Sequence, residues 1–130
     1  AVKIHRAVAS MIREGIALAA HDVSDGGPLV SVAEMCIAAG CSAQIGGDEE
    51  HGSVSPDLLF DESRAIYVLQ IPDKERSAFE KIAATVPHQL LGRSPGRPCD
   101  NATLTIQIEG HTHRVTVGEL SSAWRKPLDW

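Results

Sequence analysis

Two short stretches hold the residue types that could do chemistry. AAHDVSDGGP, at positions 19–28, sets a histidine, two aspartates, a serine and a Gly-Gly pair between two apolar runs. Asp22 and Asp25 supply hard oxygens of the kind that hold Mg²⁺, a metal bound by one or two carboxylates together with substrate phosphates. Gly26 and Gly27 let backbone N–H groups approach an anion, and a helix starting near Pro28 would aim its positive end there. The aspartates would repel that anion unless a metal intervenes, so these two readings need each other. His21 offers acid–base chemistry. A fourth reading is a strand-to-helix turn, with Asp25 as the cap, the glycines turning the chain and His21 packed at the strand end. The residues alone leave all four open. The second stretch is LLFDESRAIYV, at 58–68. Arg64 could fork onto a carboxylate or phosphate, and Glu62 could hold a metal or a ribose hydroxyl. The same residues could equally make an exposed ion pair of little energetic weight at a strand entrance.

No other group competes. His5, His51, His88, His111 and His113 lack metal-ligand spacing; His111 and His113 alternate on a hairpin and read as a fortuitous pair. No G-x-S-x-G, Walker A, C-x-x-C or H-E-x-x-H pattern occurs, and no residue is assigned as catalytic. The 3 cysteines, Cys36, Cys41 and Cys99, are odd in number and irregular in spacing, which predicts reduced thiols in a cytoplasmic protein. A net charge of -5 with no basic stripe argues against a nucleic-acid surface. No apolar run approaches the ~20 residues of a membrane span, and no signal peptide is visible.

The elements that must position these residues can be read from periodicity. The 130 residues suit one domain, 1–130, and with only 4% aromatic residues its core must be aliphatic. Apolar spacing predicts a helix over 2–14 stopped by Gly15, and a short buried strand over 16–20. A second helix is predicted over 28–39, with Pro28 in its first turn and Gly40 at its end. Strands follow over 41–45 and 65–71, separated by a polar loop over 46–56. Asp73 could cap a helix over 74–85. A possible strand at 89–92 precedes a turn at 94–98. A hairpin over 102–117 turns at 109–111, and a helix over 118–124 closes the chain ahead of a loose tail at 127–130. This order predicts an α+β fold with helices layered on a mixed, partly antiparallel sheet.

The residues also carry a resemblance. LAAHDVSDGGPLVSVAEMCIAAG resembles the second C-terminal-type domain of phosphoribosylformylglycinamidine synthase subunit II, a family that reads SAHDVSDGGL before an alanine-rich helix containing A-E-M. LLFDESRAIYVLQI is similar to that family's L-F-G-E-S-x-x-R segment, and GELSSAWRKPL to its closing helix. Pro28 stands where Leu is usual and Asp61 where Gly is usual. The resemblance implies a fold like the C-terminal domain of aminoimidazole ribonucleotide synthetase. It also implies an ATP- and Mg²⁺-dependent ligase that converts formylglycinamide ribonucleotide and glutamine-derived ammonia to the amidine in purine biosynthesis. Laid on the first-half motif Q-D-L-G-A-A-G-L, Asp22 falls on an Asp implied to bind Mg²⁺, and Glu62-Ser63-Arg64 on a Glu-Ser-Gln implied to contact substrate. His21, Ser24, Asp25, Gly26 and Gly27 are then implied nucleotide- or substrate-binding residues with them. The productive site belongs to the first-half copy, so the implied role of this copy is a related nucleotide site.

The implied partners are the enzyme's remaining domains, its glutaminase and small accessory subunits, with a homodimer of this stretch as a further expectation. The chain opens on Ala1, consistent with a fragment of a larger enzyme, expected to be inactive alone. The alternatives are a stand-alone binding or assembly domain, or the matching domain of a superfamily member such as selenophosphate synthetase.

Overall fold

The computed structural model describes residues 2–47, 54–63 and 66–125. The chain runs α1 (Val2–Arg13), β1 (Ala19–Asp22), α2 (Gly27–Ala39), β2 (Ala43–Ile45), α3 (Pro56–Leu59), β3 (Tyr67–Gln70), α4 (Arg76–Ala83), β4 (Gly92–Arg93), β5 (Thr103–Ile108), β6 (His111–Thr116) and α5 (Val117–Arg125). The strands form two sheets: a two-stranded ribbon, β1–β3, and a four-stranded sheet ordered β4–β2–β5–β6. β2 and β5 are parallel and every other pair is antiparallel. The fold is therefore α+β with a mixed sheet.

Two apolar clusters hold it together. In the larger one, Cys36 of α2, Ile45 of β2, Leu59, Leu104 of β5 and Val117 are buried beneath α2 and α5. In the smaller one, Ala7 and Met11 of α1 meet Ile16 and Ala83, with Leu69, Ile71 and Phe79 packed on them. The ribbon lies between the helices. Leu69 and Ile71 face α1 and α4, whereas His21, on the opposite pleat, reaches α2.

Several local expectations need correction. Residues 16–18 do not extend a strand: the Ile16 and Ala17 amides donate to Met11 O and close the end of α1, so β1 starts at Ala19. Nor is β1 buried; its residues alternate between half-buried and exposed, as expected of a strand in a ribbon. Asp73 opens a 3-10 turn, Asp73–Glu75, instead of capping α4, and no side-chain cap bond starts that helix. The loop over 46–56 ends in α3, started by Ser55, whose side chain accepts from the Asp57 amide; positions 48–53 lie outside the described residues, as does the tail 126–130. The hairpin turn narrows to Glu109 and Gly110, both at positive φ, the pattern of a tight two-residue turn. Cys36, Cys41 and Cys99 are free thiols, and burial pushes that of Cys36 up. No helix among the described residues is long and apolar enough to cross a membrane.

Candidate functional site

The fold brings the two motifs to one end of the β1–β3 ribbon. β1 ends at Asp22 opposite Tyr67, the first residue of β3, and the Val23 amide donates to Ile66 O just beyond the pair. The turn from β1 into α2 therefore lies against the chain entering β3. Gly27 seals the contact: a Cβ there would lie 2.7 Å from the Phe60 backbone, and φ is +79°.

At this junction the Gly26 amide donates to Glu62 Oε1 at 2.5 Å. Gly26, at φ 91°, is the N-cap of α2, which has no side-chain cap bond from its own turn; Pro28 sits in the first turn, as predicted. Asp25 is thus not the cap. A carboxylate from the second motif, 36 residues away, takes the helix's positive end instead. The Gly27 amide donates to Ser24 O at 3.2 Å. Both glycine amides are used within the protein, which corrects the expectation of a turn open to phosphate at these two groups. Ser63 is held too: its amide and hydroxyl both donate to Asp61 Oδ1, at 2.8 and 2.5 Å. Ser24 and Asp25 are exposed. Arg64 lies outside the described residues.

His21 is fixed between two oxygens. Its Nδ1 lies 2.5 Å from the Asp22 carbonyl and its Nε2 2.6 Å from Glu34 Oε2. Both partners accept, so both ring nitrogens donate, which is the hydrogen-bonding of an imidazolium. The pKa of His21 is raised above its ordinary value: the bond to the Asp22 backbone pushes it up, burial pulls against that, and the Glu34 hydrogen bond and the Glu34 and Asp22 charges add to the rise. His21 thus ties the end of β1 to α2 through Glu34. Glu34 lies in the A-E-M of the helix motif but is assigned no role there, although α2 (GPLVSVAEMCIAA) carries no other charged residue, and a lone carboxylate on an apolar helix needs a partner.

The Asp22 carboxylate is different: 80% of its side-chain surface is exposed, and the His21 ring is 3.9 Å away. Among the described residues no three His, Cys, Asp or Glu side chains converge as a metal cage. The donor set therefore fits a Mg²⁺ that shares one protein carboxylate with phosphate oxygens and water, not a structural metal. His111 and His113 lie on the edge strand β6, in the other sheet.

A ribbon clasped by helices, a mixed sheet beside it, and a Gly-Gly turn closed by a distant Glu define an α+β domain with its polar junction at one ribbon end. Residues 1–93 match the family described as AIR synthase related protein, C-terminal domain, and the chain belongs to that family. It is 31% identical over 130 residues to phosphoribosylformylglycinamidine synthase subunit PurL of Alkaliphilus metalliredigens, covering 97% of this chain and 16% of that protein. With PurL of Moorella thermoacetica it shares 30% identity, covering 95% of this chain and 17% of that one. The chain thus spans about a sixth of these relatives. Structures of T. maritima PurL complexed with ADP and with FGAR superpose with TM-scores of 0.72 and 0.71 at 17% identity, covering 92% of this chain and 21% and 20% of those chains. At that identity they support the fold.

Proposed function

We propose that this chain is the C-terminal-type domain of an ATP-dependent ligase converting formylglycinamide ribonucleotide and glutamine-derived ammonia to formylglycinamidine ribonucleotide, and that it forms one wall of a nucleotide site. The observation that carries the reading is the junction itself: two motifs far apart in sequence meet at one ribbon end through Gly26 and Glu62, leaving the Asp22 carboxylate presented to solvent. The relatives named as synthase subunits and the neighbours complexed with FGAR, ADP and ATP support the same reading.

Phosphoryl transfer asks a protein chiefly to position groups and neutralise charge. Mg²⁺, when bound, supplies that neutralisation on the phosphates. The chain's own residues divide the remaining work: Glu62 closes the turn, the His21–Glu34 pair holds the Asp22 carbonyl, and the Asp22 side chain is left for the cation. The chain spans about a sixth of the synthase subunits it matches, so the stretch alone is proposed to be catalytically silent, working with the enzyme's remaining domains, its glutaminase and small accessory subunits in the cytoplasm. Calorimetric titration with Mg·ADP tests the nucleotide reading; absence of binding at millimolar ligand overturns it. An assay with formylglycinamide ribonucleotide, ATP, Mg²⁺ and ammonia tests the silence, which turnover by this chain would overturn.

A further inference from the structure

The glycine amides are spent, so a phosphate held near Asp22 needs hydrogen-bond donors from elsewhere. The register places Asp22 directly opposite Tyr67. Opposed residues of an antiparallel pair project to the same face, with Cβ atoms about 5 Å apart. That face belongs to α1, since Leu69 and Ile71, which share the parity of Tyr67, pack with Met11 and Phe79. From α1, His5 reaches the same spot. Its Nδ1 is 2.5 Å from the Tyr67 hydroxyl, and the two rings meet edge to face at 5.4 Å. An exposed carboxylate, a phenol and an imidazole therefore line one rim of the ribbon end, on the side away from Glu34.

The geometry points to Tyr67 as a hydrogen-bond donor to a phosphate oxygen of a nucleoside diphosphate whose Mg²⁺ rests on Asp22, with His5 as its positioning residue. This inference rests on the nucleotide reading above. A phenol has one donor and two acceptor positions. When the His5 Nδ1–H donates to the phenolic oxygen, the Tyr67 O–H is left to donate to another acceptor. The T-shaped ring contact fixes the phenol's direction. The donor is thereby aimed in advance, which lowers the ordering cost of binding.

Tyr67 is the only tyrosine in the chain (Tyr 1), so a chain labelled with ¹³C-tyrosine reports on this residue alone. On titration of the full 130-residue chain with Mg·ADP, the tyrosine ring signals should shift in the wild type and stay still in Asp22→Asn. In calorimetry, Tyr67→Phe should weaken Mg·ADP binding about 10-fold, the worth of a hydrogen bond to a charged group. His5→Ala should weaken it about 3-fold. His5→Asn, which replaces Nδ1 with an amide nitrogen, should restore most of that loss. A wild-type tyrosine signal unmoved at saturating Mg·ADP, or Tyr67→Phe binding as tightly as wild type while Asp22→Asn loses binding, overturns this inference and leaves the nucleotide reading standing. A wild-type chain that binds no Mg·ADP at all overturns that reading, and this inference with it.

Discussion

In the four-stranded sheet, β5 is laddered to β2 on one side and β6 on the other, and Leu104 at its centre is 2% exposed. At the ribbon end, beyond the backbone bond from Val23 to Ile66, the joining bonds are individual and come from side chains: Glu62 to the Gly26 amide, His21 to the Asp22 carbonyl and to Glu34, His5 to Tyr67. All but the His21 contact with its β1 neighbour Asp22 tie separate segments together, and none repeats. A ladder with an apolar core tolerates surface substitution because its support is spread over many groups. A junction built of single contacts concentrates support in a few residues, and those residues are polar enough to be read as catalytic when they are structural. The family match ends at residue 93, before β5, yet the sheet continues through β5 and β6. The ladder thus extends past the matched residues, whereas the junction lies wholly within them.

The largest effect separating the two regions should come from the ladder. Leu104→Ala removes a fully buried side chain from the main cluster and should cost roughly 3 kcal/mol of global stability. Chemical denaturation should show it as a lower midpoint at unchanged slope. Gly27→Ala attacks the junction instead. It combines a left-handed φ with a Cβ 2.7 Å from the Phe60 backbone, and should cost about 2 kcal/mol or more. Hydrogen exchange should tell the two apart: Leu104→Ala speeds exchange everywhere, whereas Gly27→Ala speeds it first at Gly26 and Val23. Equal acceleration at β5 in both variants would show the two regions to be one cooperative unit.

Glu62→Gln keeps the acceptor and removes the charge, so the helix end loses its favourable anion while the bond to Gly26 survives. About 0.5–1 kcal/mol should be lost at low ionic strength, and high salt, which screens the charge, should narrow the difference from wild type. A Glu62→Gln chain as stable as wild type at neutral pH would mean that the carboxylate charge adds nothing at this junction.

How much of this was legible in sequence follows from the same contrast. Periodicity located every helix of eight or more residues and each main strand to within a few positions, because core-facing spacing is local information. Gly40 as the end of α2 and Pro28 at its start were also legible, since both act through their own backbone. The cap of α2 was not. Asp25 stood at the expected place, but the actual partner of Gly26 comes from another motif, and no local rule links positions 26 and 62. His5 and Tyr67 were invisible for the same reason, being brought together by α1 crossing the ribbon. The resemblance reached the right family because it compared whole motifs in order, and so carried tertiary information that spacing lacks.

His21 allows a test that depends on pH. Its pKa in the folded protein is raised above the unfolded value, so its contribution is fully present below about pH 6.5 and is lost as pH rises through the folded pKa. Wild-type stability should therefore fall relative to His21→Gln as pH rises from about 6.5 through the raised folded pKa. Parallel pH profiles for the two proteins would show that the His21–Glu34 contact does not hold the turn, and the junction would then rest on Glu62 alone.

The smallest stability effect should be at Asp22, and this separates positioning from binding. Its side chain is 80% exposed, and exposed substitutions usually fall within about 0.5 kcal/mol. Asp22→Asn should therefore melt like wild type. It removes an exposed carboxylate at the ribbon end, so the Mg²⁺-dependent binding of ADP should disappear. A clear loss of stability in this variant would class Asp22 with Glu62 and His21, as another group spent on closing the turn. An unchanged melt with lost Mg²⁺ dependence would show that the junction uses its other polar groups to hold this one free.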